Sequence, residues 1–167
     1  IVMDEDDCMV AMAQFYLGFT VEESCGKCSP CRIGNKRLFE ILNKITSGKG
    51  TEEDLRKLRD LGQVIKDTSL CGLGQTSPNP VLSTLDNFYD EYVAHVTEQR
   101  CPAHQCRDLT VYYINPKKCT GCTLCAHVCP VHAIVGERKA THIIDPNICI
   151  RCGSCLEKCR FGAIYVY

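Results

Sequence analysis

Two stretches of the chain carry the same cysteine ladder. Cys119, Cys122, Cys125 and Cys129 form C-x2-C-x2-C-x3-C, and Cys149, Cys152, Cys155 and Cys159 repeat it at an offset of 30 residues. No other feature limits the fold so tightly. Thiolates at every third residue can wrap three corners of a four-iron cubane, while the fourth ligand must arrive from elsewhere in the chain. The duplication supplies it crosswise. Cys119, Cys122, Cys125 and Cys159 are expected to hold one [4Fe-4S] cluster, and Cys149, Cys152, Cys155 and Cys129 the other. Paired C-x2-C units also bind structural zinc, but zinc motifs seldom carry three evenly spaced cysteines plus a fourth, twice over. Pro116 to Ile134 and Pro146 to Ile164 also superpose at Ala133-Ile134 and Ala163-Ile164. With Tyr112 to Ile114, His142 to Ile144 and Tyr165 to Val166, these pairs predict short strands in a small α+β unit with two pseudo-symmetric halves.

The chain holds 15 cysteines in 167 residues. The odd count, the tight spacings and the lack of a signal peptide argue against a secreted disulfide scaffold and for thiolate ligands in a reducing cytoplasm. Nineteen basic and twenty acidic side chains give a formal charge of -1, so neither nucleic acid nor a membrane surface is expected as a partner. No apolar run approaches the roughly 18 residues that a membrane span requires. Ile1 lies in what reads as structured chain, so the sequence is expected to be a fragment.

Residues 1–98 read as four helices, which short connections would arrange as an antiparallel four-helix bundle. Helix one follows Asp4-Glu5-Asp6-Asp7, carries Cys8, Met12, Phe15 and Phe19 on one stripe, and is expected to end near Gly18. Helix two runs from about Cys31, with Leu38, Ile41, Leu42 and Ile45 on its apolar face, and stops at Gly48-Lys49-Gly50. Thr51-Glu52-Glu53-Asp54 resembles a capping box for helix three, which buries Leu55, Leu58, Leu61 and Ile65. Asn79-Pro80 starts helix four, with Leu85, Phe88, Tyr92 and His95 on one face. The predicted fold class is therefore α plus α+β: a helical domain over 1–98, a linker over 99–109, and the two-cluster domain over 110–167.

A third cluster site is expected in the helical domain. Cys25, Cys28 and Cys31 form another three-thiolate wrap, and Cys71 stands alone in Ser69-Leu70-Cys71-Gly72-Leu73-Gly74. In an up-down-up-down bundle the loops before helix two and after helix three lie at the same end, so Cys71 can close the site. His127, His132 and His142, and the tyrosines at 112, 113, 165 and 167, are assigned to packing or surface roles.

Residues 116–167 resemble bacterial two-cluster ferredoxins, with Arg160 in place of the proline that usually follows the last ligand. The segment ESCGKCSPCR, followed some forty residues later by SLCGLGQTSPNP, resembles the cluster-binding end of the NADH-oxidising flavoprotein subunits. These include the flavin subunit of respiratory NADH dehydrogenase and the corresponding subunits of NAD(P)-linked, electron-bifurcating [FeFe] hydrogenases and of some formate dehydrogenases. A ferredoxin-like tail after the bundle is similar to the hydrogenase type. The resemblance implies a relay through three [4Fe-4S] clusters between FMN, in an NAD(P)H-binding domain upstream, and other iron–sulfur subunits or soluble ferredoxin. It leaves a formate dehydrogenase as the alternative. A scaffold held together by its metals is a separate alternative.

Cys8, Cys101 and Cys106 remain. Helix one starts and helix four ends at the same end of an antiparallel bundle, so Cys8 and His95 can meet there, with Cys101 and Cys106 following at once. Three thiolates and an imidazole would make a closed zinc shell, with His104 as the alternative imidazole and unmetallated thiols as the plainer outcome. The resembled flavin subunits with such tails carry the same CPA-x2-C turn, which supports the zinc site.

Overall fold

The computed structural model describes residues 3, 4 and 6–167. The chain divides into two compact units, Ile1–Leu109 and Thr110–Tyr167, so residues 99–109 group with the helices.

The first unit is helical. Helix α1 (Met9–Glu23) begins at Cys8, whose Sγ accepts the Ala11 N–H at 3.4 Å and caps the first turn. A π-helical turn, Pro30–Gly34, leads into α2 (Asn35–Thr46). Helix α3 (Glu52–Thr68) is followed by the short α4 (Gly72–Thr76), α5 (Asn79–Asn87) and α6 (Tyr89–Val93). A second π-helical turn, Ala94–Glu98, ends at Gln99 in the left-handed region. Helix α1 packs on α2 and α5, and α3 on α2 and α5. Between them lie Val10, Ala13, Leu17, Leu38, Leu42, Ile45, Leu58, Ile65, Val81 and Leu85, all nearly inaccessible to solvent.

Three expectations change. Phe15 and Phe19 are exposed, and Val10, Ala13 and Leu17 form the buried stripe of α1 instead. The helix has apolar residues almost all round its first three turns, so its periodicity selects no single face. Gly18 does not stop α1; a methyl group there would sit 3.1 Å from the Phe39 ring, and the helix continues to Glu23. The predicted fourth helix breaks at Phe88 (φ -131°, ψ 37°), which leaves Phe88 exposed and turns Tyr92 and His95 inward.

The capping box at α3 forms. The Thr51 N–H donates to Asp54 Oδ2 at 2.9 Å, and the Asp54 N–H donates to Thr51 Oγ1 at 3.4 Å. Lys44 Nζ lies 2.5 Å from the same carboxylate oxygen, which is almost wholly buried. Burial pushes the Asp54 carboxyl up, but the bonds from Lys44 and Thr51 outweigh it and hold it below its ordinary value of 3.8. A depressed folded-state pKa contributes stability above the unfolded value that is lost as pH falls through the folded one. Asp54→Ala is expected to cost the helical unit about 1–2 kcal/mol at neutral pH. Urea melts should show the gap between variant and parent narrowing below about pH 3.8.

In the second unit, strand β1 (Tyr112–Ile114) pairs antiparallel with β4 (Ile164–Val166), and β2 (Ile134–Val135) with β3 (Ile143–Ile144). Thus the first strand meets the last, and each half of the repeat contributes to both ribbons. Single-turn helices α7 (Leu124–Val128) and α8 (Ser154–Lys158) occupy matching places. The pseudo-symmetry reaches individual bonds. The Asn115 N–H donates to the Ala163 carbonyl at 2.7 Å, and the Asp145 N–H, thirty residues on, donates to the Ala133 carbonyl at 2.8 Å. Among the described residues, no helix is long and apolar enough to cross a membrane.

Candidate metal centres

Each half of the second unit folds its ladder around a cavity. One is lined by Cys119, Cys122, Cys125 and Cys159 with Ile114, Leu124 and Ile164. The other is lined by Cys149, Cys152, Cys155 and Cys129 with Tyr112, Ile134 and Ile144. The residues fit a cluster on three counts. Four thiols border each space, the remaining walls are mostly apolar, and backbone N–H groups already point at sulfur: Ala133 to Cys129 Sγ at 3.2 Å, Ala163 to Cys159 Sγ at 3.3 Å and Arg151 to Cys149 Sγ at 3.4 Å. Such bonds favour the thiolate form that binds metal. Burial first, and then neighbouring Cys149, push the Cys155 thiol up to about 11. Burial raises Cys125 likewise. Metal binding at these sulfurs therefore releases protons.

In the helical unit Cys31 is buried in the first π-helical turn, with Sγ 3.3 Å from Ser24 Oγ and accepting from Asn35 Nδ2 at 3.4 Å. Asn35 Oδ1 in turn accepts from Ser77 Oγ at 2.8 Å, tying this turn to the segment after Cys71. A methyl group on Gly74 would lie 2.6 Å from Ser69 Cβ and 3.2 Å from Cys31 Cβ, so only glycine lets the Cys71 loop close on the turn. Cys28 is reached from the same loop; its bond with the Leu70 backbone is the chief cause holding its thiol below the ordinary value. Cys25 and Cys71 face solvent, and Ser69 Oγ is buried without a partner. A donor left over in the same tight corner as Cys31 fits a sulfur-rich ligand.

Cys8, His95, Cys101 and Cys106 form a fourth group. All four are buried and their ligand atoms lie within 4.8 Å of one another. His95 Nε2 is 3.3 Å from Cys8 Sγ and 3.3 Å from Cys106 Sγ, and the two sulfurs are 3.7 Å apart. A tetrahedral zinc with bonds of about 2.3 Å to sulfur and 2.0–2.1 Å to nitrogen has edges of about 3.8 Å between sulfurs and 3.6 Å between sulfur and nitrogen. The spacing thus suits a single ion, whereas a cubane core would hold its ligands farther apart. His95 Nδ1 lies 2.7 Å from the Glu91 carbonyl, which can only accept, so Nδ1 carries a proton and Nε2 is the nitrogen left to ligate a metal among the sulfurs. His104 is exposed and lies outside the group.

Two further bonds hold this site. Glu91 Oε2 accepts from the Met9 N–H at 3.0 Å, and Gln105 Nε2 donates to the Asp6 carbonyl at 2.7 Å. With protons alone among them, the thiols divide charge unevenly. Bonds from Cys106 and Cys8 drive the Cys101 thiol down, while Cys101 and Cys8 drive Cys106 up. Burial would lower the His95 imidazole, but Cys101 and Cys8 hold it up at about 10. The sequence did not single out Asn35, Ser69 or Ser77 for a role around Cys31, although Ser69 and Ser77 stand in the SLCGLGQTSPNP segment with Cys71.

Residues 11–95 match the family model described as the NADH-ubiquinone oxidoreductase-F iron-sulfur binding region, and residues 118–164 match a 4Fe-4S dicluster domain. The chain is 60% identical over 164 residues to the NADP-reducing hydrogenase subunit HndC of Solidesulfovibrio fructosivorans, covering 98% of this chain and 34% of that protein. It is 41% identical over 101 residues to the F component of the NADH-quinone oxidoreductase of Mycobacterium tuberculosis, covering 60% of this chain and 23% of the relative. The crystal structure of an NAD+-reducing [NiFe]-hydrogenase in the H2-reduced state aligns with a TM-score of 0.55 at 31% identity, over 57% of this chain and 16% of that one. The chain therefore spans about a third or less of the length of these relatives.

Proposed function

Because the chain belongs to the NADH-ubiquinone oxidoreductase-F iron-sulfur binding region family, we propose that it relays single electrons through three [4Fe-4S] clusters, between a flavin elsewhere in its subunit and redox partners in a hydrogenase-type complex. The observation that carries this reading is the pair of cavities in the second unit, each bordered by the crosswise quartet that its cysteine spacing demands. The ligands assigned are Cys119, Cys122, Cys125 and Cys159; Cys149, Cys152, Cys155 and Cys129; and Cys25, Cys28, Cys31 and Cys71. Bound there, such clusters supply one-electron redox capacity. The chain's own residues position the thiolates, donate N–H bonds that temper the charge on sulfur, and keep water out with isoleucine walls. Cys8, His95, Cys101 and Cys106 take a structural zinc.

The helical unit acts as a four-helix bundle whose one end carries a cluster and the other the zinc. FMN and NAD(P)H sites belong to another part of the subunit, and fellow iron–sulfur subunits or soluble ferredoxin serve as partners. The 60% identity to a hydrogenase subunit favours that complex over a formate dehydrogenase. A reducing, cytoplasmic setting is where fifteen cysteines stay available as metal ligands.

Iron and sulfide analysis after anaerobic reconstitution tests the proposal. About twelve iron atoms per chain are expected from three four-iron clusters, and Cys71→Ala should remove about four of them. A count near eight that Cys71→Ala leaves unchanged would refute the site in the helical unit. A colourless zinc protein with no reduced-state EPR signal would favour a metal-held scaffold instead.

A further inference from the structure

Among the described residues, two buried side-chain polar atoms lack a hydrogen-bond partner: Ser69 Oγ, beside Cys31, and His142 Nε2. His142 is 1% exposed and borders the cavity of Cys119, Cys122, Cys125 and Cys159. Two edges of its ring are taken. A methyl group on Gly136 would lie 2.7 Å from His142 Cγ and 2.9 Å from Cδ2, so backbone lies flat against that edge. Nδ1 lies 3.2 Å from the Ala140 carbonyl oxygen. His142 also borders an open groove with Tyr113 and Thr141, but Nε2 is inaccessible to solvent, so the edge left for the cavity carries Nε2.

We propose that His142 Nε2–H donates a hydrogen bond to sulfur of the cluster held by Cys119, Cys122, Cys125 and Cys159, and so makes the two clusters of the duplicated unit unequal. This rests on the cluster assignment above. A buried polar group left unpaired costs about 1–3 kcal/mol, so its persistence at this cavity calls for an acceptor. The ring proton can sit on either nitrogen. With the proton on Nε2 the bond to Ala140, which is at the long end of the hydrogen-bond range, is given up, and the charge-assisted bond that anionic sulfur offers Nε2–H is about twice as strong as a neutral one.

The internal repeat sharpens the argument. Thirty residues before His142 stands Tyr112, which borders the other cavity, while Ile114 and Ile144 exchange cavities in the same way. The repeat therefore puts a fully buried imidazole at one cluster and a phenol at the other. Tyr112 is only half-buried, so water can satisfy its hydroxyl, and nothing compels that hydroxyl to bond the cluster. A donor bonded to sulfur stabilises the more negative, reduced state and raises the potential. At equilibrium, an electron shared by this pair rests on the His142 side.

The test is an EPR-monitored redox titration of the iron-loaded full chain. His142→Phe fills the same space without a donor and is expected to move one reduction step to lower potential by about tenfold in its equilibrium constant, about 59 mV for one electron, leaving the others in place. His142→Gln, which keeps an N–H donor, should restore most of the shift. In the unmodified protein, ENDOR in H2O and D2O should find an exchangeable proton and a nitrogen coupled to one reduced cluster, and this reading needs no variant to fold. Unmoved steps, steps that all shift together, or no such coupling would overturn the proposal. Iron analysis of the same samples separates the failures: too little iron counts against the clusters, full iron with unmoved steps against His142 alone.

Discussion

Removal of iron by a chelator is expected to abolish the fold of residues 110–167 while leaving the helical unit standing. The buried side chains of the second unit are chiefly Ile134, Ile144, Ile164, Ala133, Ala163 and the ligand residues Cys125 and Cys155. A unit of this size with so few aliphatic groups has too little core to offset its chain entropy, and small domains of this kind depend on metals or cross-links. Its strands are two or three residues long and its helices span a single turn. None is long enough to persist alone. Binding metal to eight thiolates is therefore the larger part of its folding free energy. The helical unit differs because leucine, isoleucine and valine side chains from α1, α2, α3 and α5 already enclose one another. Amide exchange followed before and after chelation, under reducing anaerobic conditions, checks this. Protection should vanish across β1, α7, β2, β3, α8 and β4 and survive in α2 and α3. Protection kept in the second unit would contradict the claim.

How much of this was legible in the sequence varied with the kind of signal. The capping box at Thr51 and the repeat of the cysteine ladders follow local rules, and both appear in the structure. The pairing of Ile114 with Ile164 and Ile134 with Ile144 follows from the repeat once each half gives one strand to the other. The burial of α1 did not follow. Met9, Val10, Ala11, Met12 and Ala13 are consecutive apolar residues, so several faces compete and tertiary packing decides. The break at Phe88 carries no proline or glycine; it turns Tyr92 inward, where its hydroxyl lies 2.7 Å from Thr84 Oγ1. His142 was hidden for another reason. A single histidine in a strand-like stretch reads as packing, and its meaning emerges only when Tyr112 is found in the equivalent place at the other cavity.

Cys8→Ala and His95→Ala are each expected to lose one zinc per chain and to lower the thermal stability of the helical unit by more than any surface substitution. Structural zinc contributes on the order of 10 kcal/mol to small domains that fold around it. Here it would join the start of α1, the end of the segment after α6, and the turn from Cys101 to Cys106. Removing one ligand leaves buried thiols and, in the Cys8 variant, a buried imidazole to share protons where a cation stood in the parent. Cys8 has a second role that must be separated, since its sulfur also caps α1 through the Ala11 N–H, and losing a cap costs about 0.5–2 kcal/mol. Cys8→Ser makes the separation. Serine caps a helix at least as well as cysteine but is a poor zinc ligand, so the zinc reading expects the metal to be lost from this variant too, with a fall in melting temperature close to that of Cys8→Ala. If capping were the whole effect, Cys8→Ser would melt like the parent. His104→Ala should keep its zinc, because His104 is exposed and stands outside the ligand group. Metal analysis beside calorimetry decides the matter, and one zinc retained in both Cys8→Ala and His95→Ala would sink the assignment.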